Sequence, residues 1–200
     1  MQVKKDQVRE TIEAAALKVF AKKGYMDAKI ADIAMEAGFS VGNIYRYYKT
    51  KDEIFYRVIP KNFPEEMQRA IIKKISAVRG GRPEAGALKM IMDEFIKFML
   101  ANRERITILL LGSRGTRYAH LREEFADALL PAVKNLYPEQ YGRYLEKYKN
   151  IGALKKIYEN LIGMHGAILG GDTSAQEAES QLKQVNLYHY SGITSLLEIF

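Results

Sequence analysis

Apolar positions along the 200-residue chain recur at helical spacing, and no run of Val, Ile and Thr alternates over strand length. Ile12, Ala15, Ala16, Val19 and Phe20 form one stripe, which predicts a first helix over 4–23 stopped by Gly24. Ile30, Ile33, Ala34 and Ala37 predict a short helix over 30–37, broken by Gly38. A third short helix follows over 41–48, and a fourth begins near Lys51 with Ile54, Phe55, Val58 and Ile59 on its buried side. Pro60 and Pro64 predict a kink or restart. The stretch "RGGRP" (79–83) reads as a loop, and 84–102 is amphipathic through Leu88, Ile91, Met92, Phe95, Phe98 and Met99. Helices are expected over 103–112, 118–136, 153–169 and 175–199, with "YPEQYGRY" (137–144) as a turn-rich break and Asp172–Ser174 as N-caps for the last. The fold class is all-α: a three-helix head over 1–50, a connecting helix over 51–75 and a helical body over 76–200.

Composition narrows the partners. Hydrophobic residues make up 48% of the chain, enough for a real core. There is no cysteine, so disulfides and thiolate metal sites are excluded, and a reducing cytoplasm is the expected location. The charged start "MQVKKDQVRE" is unlike a signal peptide, and the longest apolar run, "ITILLLG" (106–112), is too short for a membrane span. The net charge of +7 suits a polyanionic partner. Residues 1–61 hold 12 of the 31 basic residues against 8 of the 24 acidic ones, so the head is the denser in positive charge.

The head carries the clearest motif. Its second and third helices are joined by "AGFS" (37–40), a spacing that suits two helices crossing steeply through a glycine turn. Ser40 is placed to cap the third helix, with Asn43 at N3. On the helical wheel Ile44 and Tyr48 turn inward and Phe39 plugs the turn. Gly42, Asn43, Arg46 and Tyr47 fall on the opposite, exposed side, flanked by Tyr45 and Lys49. Glycine permits close approach, Asn43 and Arg46 can donate to base edges or phosphates, and tyrosine hydroxyls can reach phosphate. Lys29 and Lys51, each at a helix start, are further phosphate candidates. This is the arrangement of a DNA-binding helix-turn-helix.

The stretch from Thr11 to Phe55 resembles the N-terminal domain of the TetR family of bacterial transcriptional regulators. The resemblance rests on "IEAAALKVFAKKGY" (12–25) and "IADIAMEAGFSVGNIYRYYKTKDEIF" (30–55), with Gly42, Asn43, Ile44, Tyr45, Arg46, Tyr47 and Tyr48 matching the family pattern and Lys51 its lysine at the next helix start. One departure is that Ala28 and Lys29 stand where the family usually places Thr or Ser; Asp27 is an alternative cap and Lys29 an alternative phosphate contact. The resemblance implies a cytoplasmic homodimer that binds a palindromic double-stranded operator, usually represses, and is released by a small-molecule effector. Geometry adds only that one short helix reads few base pairs, so a two-fold dimer is favoured.

In the body, Leu182, Val185, His189, Ile193, Leu196 and Phe200 are spaced like a coiled-coil seam, and Gly163, Gly166, Ala167 and Gly170 let helices pack closely. Together they suit the four-helix dimer interface the family builds from its last two long helices. Phe95, Phe98, Met99, Tyr118, Met164 and His165 are candidates to line a ligand cavity. No cofactor or metal is called for: His120, His165 and His189 form neither a Glu-x-x-His nor a His-Glu-x-x-His pattern, which argues against catalysis. The rival reading is an architectural or cell-division factor on the same fold without a ligand switch. A well-filled body favours that rival, and a cavity of several hundred Å³ favours an effector.

Overall fold

The computed structural model describes residues 2–76 and 85–198, and every regular element among them is helical. Helix α1 (Gln2–Asp27) is interrupted at Gly24, whose φ of 72° and ψ of 168° leave helical space as the glycine stop predicts. The head continues with α2 (Ile30–Ala37), α3 (Val41–Tyr47) and α4 (Lys51–Val58). Ile12, Phe20, Ile33, Ile44, Ile54 and Phe55 are wholly buried between them. Pro60 breaks the expected 51–75 connector, and α5 (Phe63–Ser76) restarts with Pro64 in its first turn, where a missing N–H costs nothing. Helix α4 therefore packs with the head, on α1, while α5 packs on α6 and α8 of the body.

The body follows with α6 (Ala85–Ala101), α7 (Arg103–Thr107), a π-helical turn Ile108–Gly112, α8 (Leu121–Leu136), α9 (Pro138–Tyr148), α10 (Gly152–Gly170) and α11 (Ala175–Leu196). Helix α9 corrects the expectation of a break over 137–144. Pro138 opens it at a first-turn position, Tyr141 and Tyr144 are buried, and Gly142 has open space around it. Ser174 caps α11, accepting from the Glu177 N–H while Glu177 accepts from the Ser174 N–H.

Head and body meet where two glycines cross. A Cβ on Gly112 would stand 3.0 Å from the Gly24 Cα, so the end of α1 lies directly on the π-helical turn. Two cationic clasps close the same joint. Arg105 donates to the Val58 carbonyl (2.9 Å) at the end of α4, and the Arg117 guanidinium lies 3.8 Å above the Tyr56 ring.

Candidate nucleic-acid interface

The turn between α2 and α3 is built by backbone geometry. Gly38 is left-handed (φ 71°); its N–H bonds to Met35 O and the Phe39 N–H to Ala34 O, the paired bonds of a Schellman stop. Ser40 Oγ then accepts from the Asn43 N–H (3.2 Å) and starts α3. At the start of α2, Lys29 stands at the cap, and Asp32 from the first turn accepts its N–H (2.9 Å). The Lys23 ammonium at 2.8 Å, with the Lys29 amide, holds the Asp32 carboxyl below its ordinary range. Asp32 thus supplies the reciprocal bond of a capping box, from N3 back to the cap N–H.

The three tyrosines of α3 and its end diverge as the wheel predicts. Tyr48 is buried, its hydroxyl donating to Glu13 Oε1 (2.5 Å), the oxygen that also accepts from Arg57 Nε (3.0 Å). Burial, and then the Glu13 carboxylate, push the Tyr48 phenol well above its usual value. This knot, buried at Tyr48 and open to solvent at Arg57, joins α1, the end of α3 and α4. Tyr47 is half-buried, while Tyr45, Arg46, Gly42, Lys29 and Lys49 are exposed and Asn43 is half-exposed. Among the described residues, no hydrogen bond or ion pair engages the side chains of Lys29, Asn43, Tyr45, Arg46 or Tyr47. One side of α3 thus presents an amide, a guanidinium and two phenols with their donors unspent, beside the Lys29 ammonium.

Lys51 is used differently. Its ammonium donates to the carbonyls of Tyr25 (2.7 Å) and Ala28 (2.9 Å) and lies 4.3 Å from the Tyr25 ring centre. Desolvation lowers its pKa. Instead of reaching outward to a phosphate, Lys51 ties the end of α1 to the entry of α2. Lys49 partly folds back as well, donating to Tyr45 O at 3.3 Å.

In the body the expected seam covers a neighbour within the same chain. Leu182 and His189 are buried, and Val185, Ile193 and Leu196 are half-buried against helices of this fold. Phe200 lies outside the described residues. The small residues also serve internal contacts. Gly163 makes room for Arg122, which donates to Glu159 O (3.3 Å); Gly166 lies against Leu110 and Leu111; Gly170 lies against Thr107 and Leu111. Ala167 and Gly170 of that set are exposed, Ala167 in a groove with Leu111, Asn160, Met164 and Tyr188.

The ligand candidates scatter. Tyr118 packs on Tyr56 in the head–body joint (6.1 Å between ring centres), and Phe98 stacks on Phe63 (6.3 Å). Met164 faces the outer groove, and Met99 is core. Phe95 and His165 do meet, 5.8 Å apart, beside a group the sequence reading missed: Lys74, buried, donating to Asn186 Oδ1, its ammonium 4.9 Å from the Phe95 ring centre. The available signal was positional, since Lys74 continues the inward stripe of Met67, Ala70 and Ile71, and Asn186 falls between Leu182 and His189.

A short helix presented across a glycine turn by two supporting helices, with a donor-rich open face, defines a helix-turn-helix DNA-binding protein. Residues 12–58 match the family model described as bacterial regulatory proteins, tetR family. The chain is 26% identical over 165 residues to an HTH-type transcriptional regulator of Haemophilus influenzae, covering 78% of this chain and 77% of that one. It is 34% identical over 114 residues to the HTH-type transcriptional regulator YfiR of Bacillus subtilis, covering 50% of this chain and 56% of that one. The match to a third relative, YerO of Bacillus subtilis, spans 50% of that protein's length at 24% identity. Among solved structures, the fatty acid degradation regulator FadR of Bacillus halodurans is similar with a TM-score of 0.45 and 20% identity, over 90% of this chain and 96% of that one. Residues 12–58 thus match the tetR family of bacterial regulatory proteins, and the relatives that share more of the chain are HTH-type transcriptional regulators.

Proposed function

We propose that the protein is a homodimeric repressor that seats α3 of each subunit in the major groove of a palindromic operator and releases it when the body binds a small molecule. The unspent donors on the open side of α3 carry this reading: Asn43 and Arg46 contact base edges, and Tyr45, Tyr47, Lys29 and Lys49 contact the backbone. Ser40 and Gly42 bring the helix start close to the duplex. Lys51 contributes by holding the α1–α2 corner.

The dimer reading rests on charge depletion. No charged residue occurs over 160–171 or 184–197, and both stretches keep an outer face beyond the internal seam. Ala167 and Asn160 on α10, and Gln184, Tyr188, Ser191 and Ser195 on α11, are exposed there, Tyr188 at 74%. An exposed uncharged surface of this kind suits a partner. The interface we propose is therefore one face around from the Leu182–Leu196 seam.

One observation favours the second reading, a DNA binder without a switch. A partly enclosed cavity among the described residues of the body holds about 50 Å³, far below the several hundred Å³ of a drug-sized site. Selection of bound duplexes from a random library tests the main reading. A two-fold symmetric consensus is expected; no enrichment, or a single unsymmetric element, would overturn it.

A further inference from the structure

The cavity is small, but its chemistry is lopsided. It is lined by Ile71, Leu129, Val133, Leu161 and Ile193, and by Lys74. His189 lies on the same wall, and its ring packs 5.2 Å from that of Tyr158. His165 stands beyond, buried, and its Nε2 has no hydrogen-bond partner among the described residues. Tyr137, Tyr158 and Tyr190 bring phenols to the lining, and the other titratable groups that meet here are bases. Burial is the chief cause that pulls the Lys74 ammonium down to about 7 and both imidazoles to about 3, each imidazole lowered further by Lys74.

Among the described residues, no carboxylate offsets them. On α6, Glu94 pairs outward with Lys73 (2.6 Å), and Asp93 lines the outer groove beside Lys183. On α8, Asp127 pairs with Lys155; on α10, Glu159 pairs with Lys156; on α11, Glu179 pairs with Lys183. Asn186 cannot supply the missing charge, because its amide is neutral and already donates to Leu182 O (2.8 Å). A buried ammonium held only by an amide oxygen and a ring face is an expensive arrangement unless something completes it.

We propose that the effector is an apolar carboxylic acid whose carboxylate pairs with Lys74 and accepts from the imidazoles, while its hydrocarbon body lies along Ile71, Leu129, Val133, Leu161 and Ile193. This deepens the effector reading above and rests on it. The hydrocarbon part matches the apolar lining, and the acid group supplies the counter-charge that the fold omits. An alcohol of equal length would satisfy the lining but leave the ammonium uncompensated. A highly charged phosphate compound would find no further cation to balance it among the lining residues.

The cavity of about 50 Å³ limits the acid to a short chain, so the test titrates the full chain, by calorimetry, with propionate and butyrate and with the matched alcohols propanol and butanol. In the wild type at least one acid should bind about tenfold or more tighter than its alcohol, the ratio worth about 1.4 kcal/mol. In Lys74→Met the acid preference should vanish while alcohol binding persists. Lys74→Gln, checked by circular dichroism, provides a second folded variant with the same expectation. Equal binding of acid and alcohol by the wild type, retention of the preference without Lys74, or no binding of either acid would each overturn the inference. The arms also separate it from the reading on which it rests. An alcohol that releases operator DNA with no acid preference leaves the effector reading standing. An acid that binds through Lys74 without changing operator affinity leaves the ligand assignment standing and defeats the effector reading.

Discussion

Replacing Lys74 by methionine should stabilise the ligand-free protein. In the unfolded chain a lysine titrates near 10.5, whereas in the fold burial brings Lys74 to about 7. At pH 7 the fold therefore carries the cost of holding about half neutral what water would keep charged, about 4 kcal/mol at 1.36 kcal/mol per pKa unit. Methionine removes that cost and fills similar volume. It also strands the Asn186 carbonyl oxygen, which now accepts from Lys74; an unsatisfied buried acceptor costs about 1–3 kcal/mol. The net gain should be about 1–3 kcal/mol, or roughly 3–10 °C in Tm for a chain of this size. The sign with pH is equally specific. Between pH 7 and 10.5 the unfolded state binds the extra proton, so wild-type stability should climb with pH through that window, and the advantage of Lys74→Met should shrink towards pH 10.5. Urea melts of both proteins at several pH values measure this directly. A variant that is less stable at pH 7, or that keeps the wild-type slope, would refute the assignment of Lys74 as a buried, uncompensated base.

Four other outcomes are expected. His165 and His189 are held neutral, so stability should fall as pH drops below 6.5, by about 1.4 kcal/mol for each imidazole at pH 5.5, read from urea midpoints at pH 7.5 and 5.5. Gly112→Ala places a methyl 3.0 Å from the Gly24 backbone and should destabilise by about 1–3 kcal/mol, measured by thermal melts, with operator affinity reduced because the head shifts on the body. Tyr188→Asp should yield folded monomers by light scattering, whereas Leu182→Asp should lose the fold, because the first side chain is exposed and the second fully buried. Lys51→Met should lower the melting temperature, since it frees the Tyr25 and Ala28 carbonyls, and should leave the salt slope of DNA binding close to that of the wild type.

The head was legible because its instructions are local. Gly24, Gly38 and Ser40 each act within a few residues, and the stripe through Ile12, Phe20, Ile33 and Ile44 has one surface to cover. The body was less legible because periodicity reveals that a face is buried but not what buries it. The spacing of Leu182, Val185, His189 and Ile193 is that of a seam, yet the covering helices belong to the same chain. Helix α9 is hidden in a stretch that reads as turn-rich, because Pro138 opens a helix and Gly142 sits on its open side. Lys51 shows a third limit. A lysine at a helix start can turn to an outside anion or to carbonyls of its own chain, and the choice is set by the turn at Tyr25–Ala28, distant in sequence. Lys74 and Asn186 are hard to read because a polar residue on an inward stripe looks the same in sequence whether it is buried or turns out to solvent.

Fluorescence anisotropy on the selected operator, across a salt series, puts the central claim to its most direct trial. The wild type should bind with a steep negative salt dependence. Arg46→Ala should lower affinity and relax specificity at one base position by about 1–3 kcal/mol, and Lys29→Ala should weaken all sequences alike and lessen the salt slope by about 1. Wild-type affinity and an unchanged salt slope in both variants would contradict the assignment of the α3 face as the DNA-reading surface.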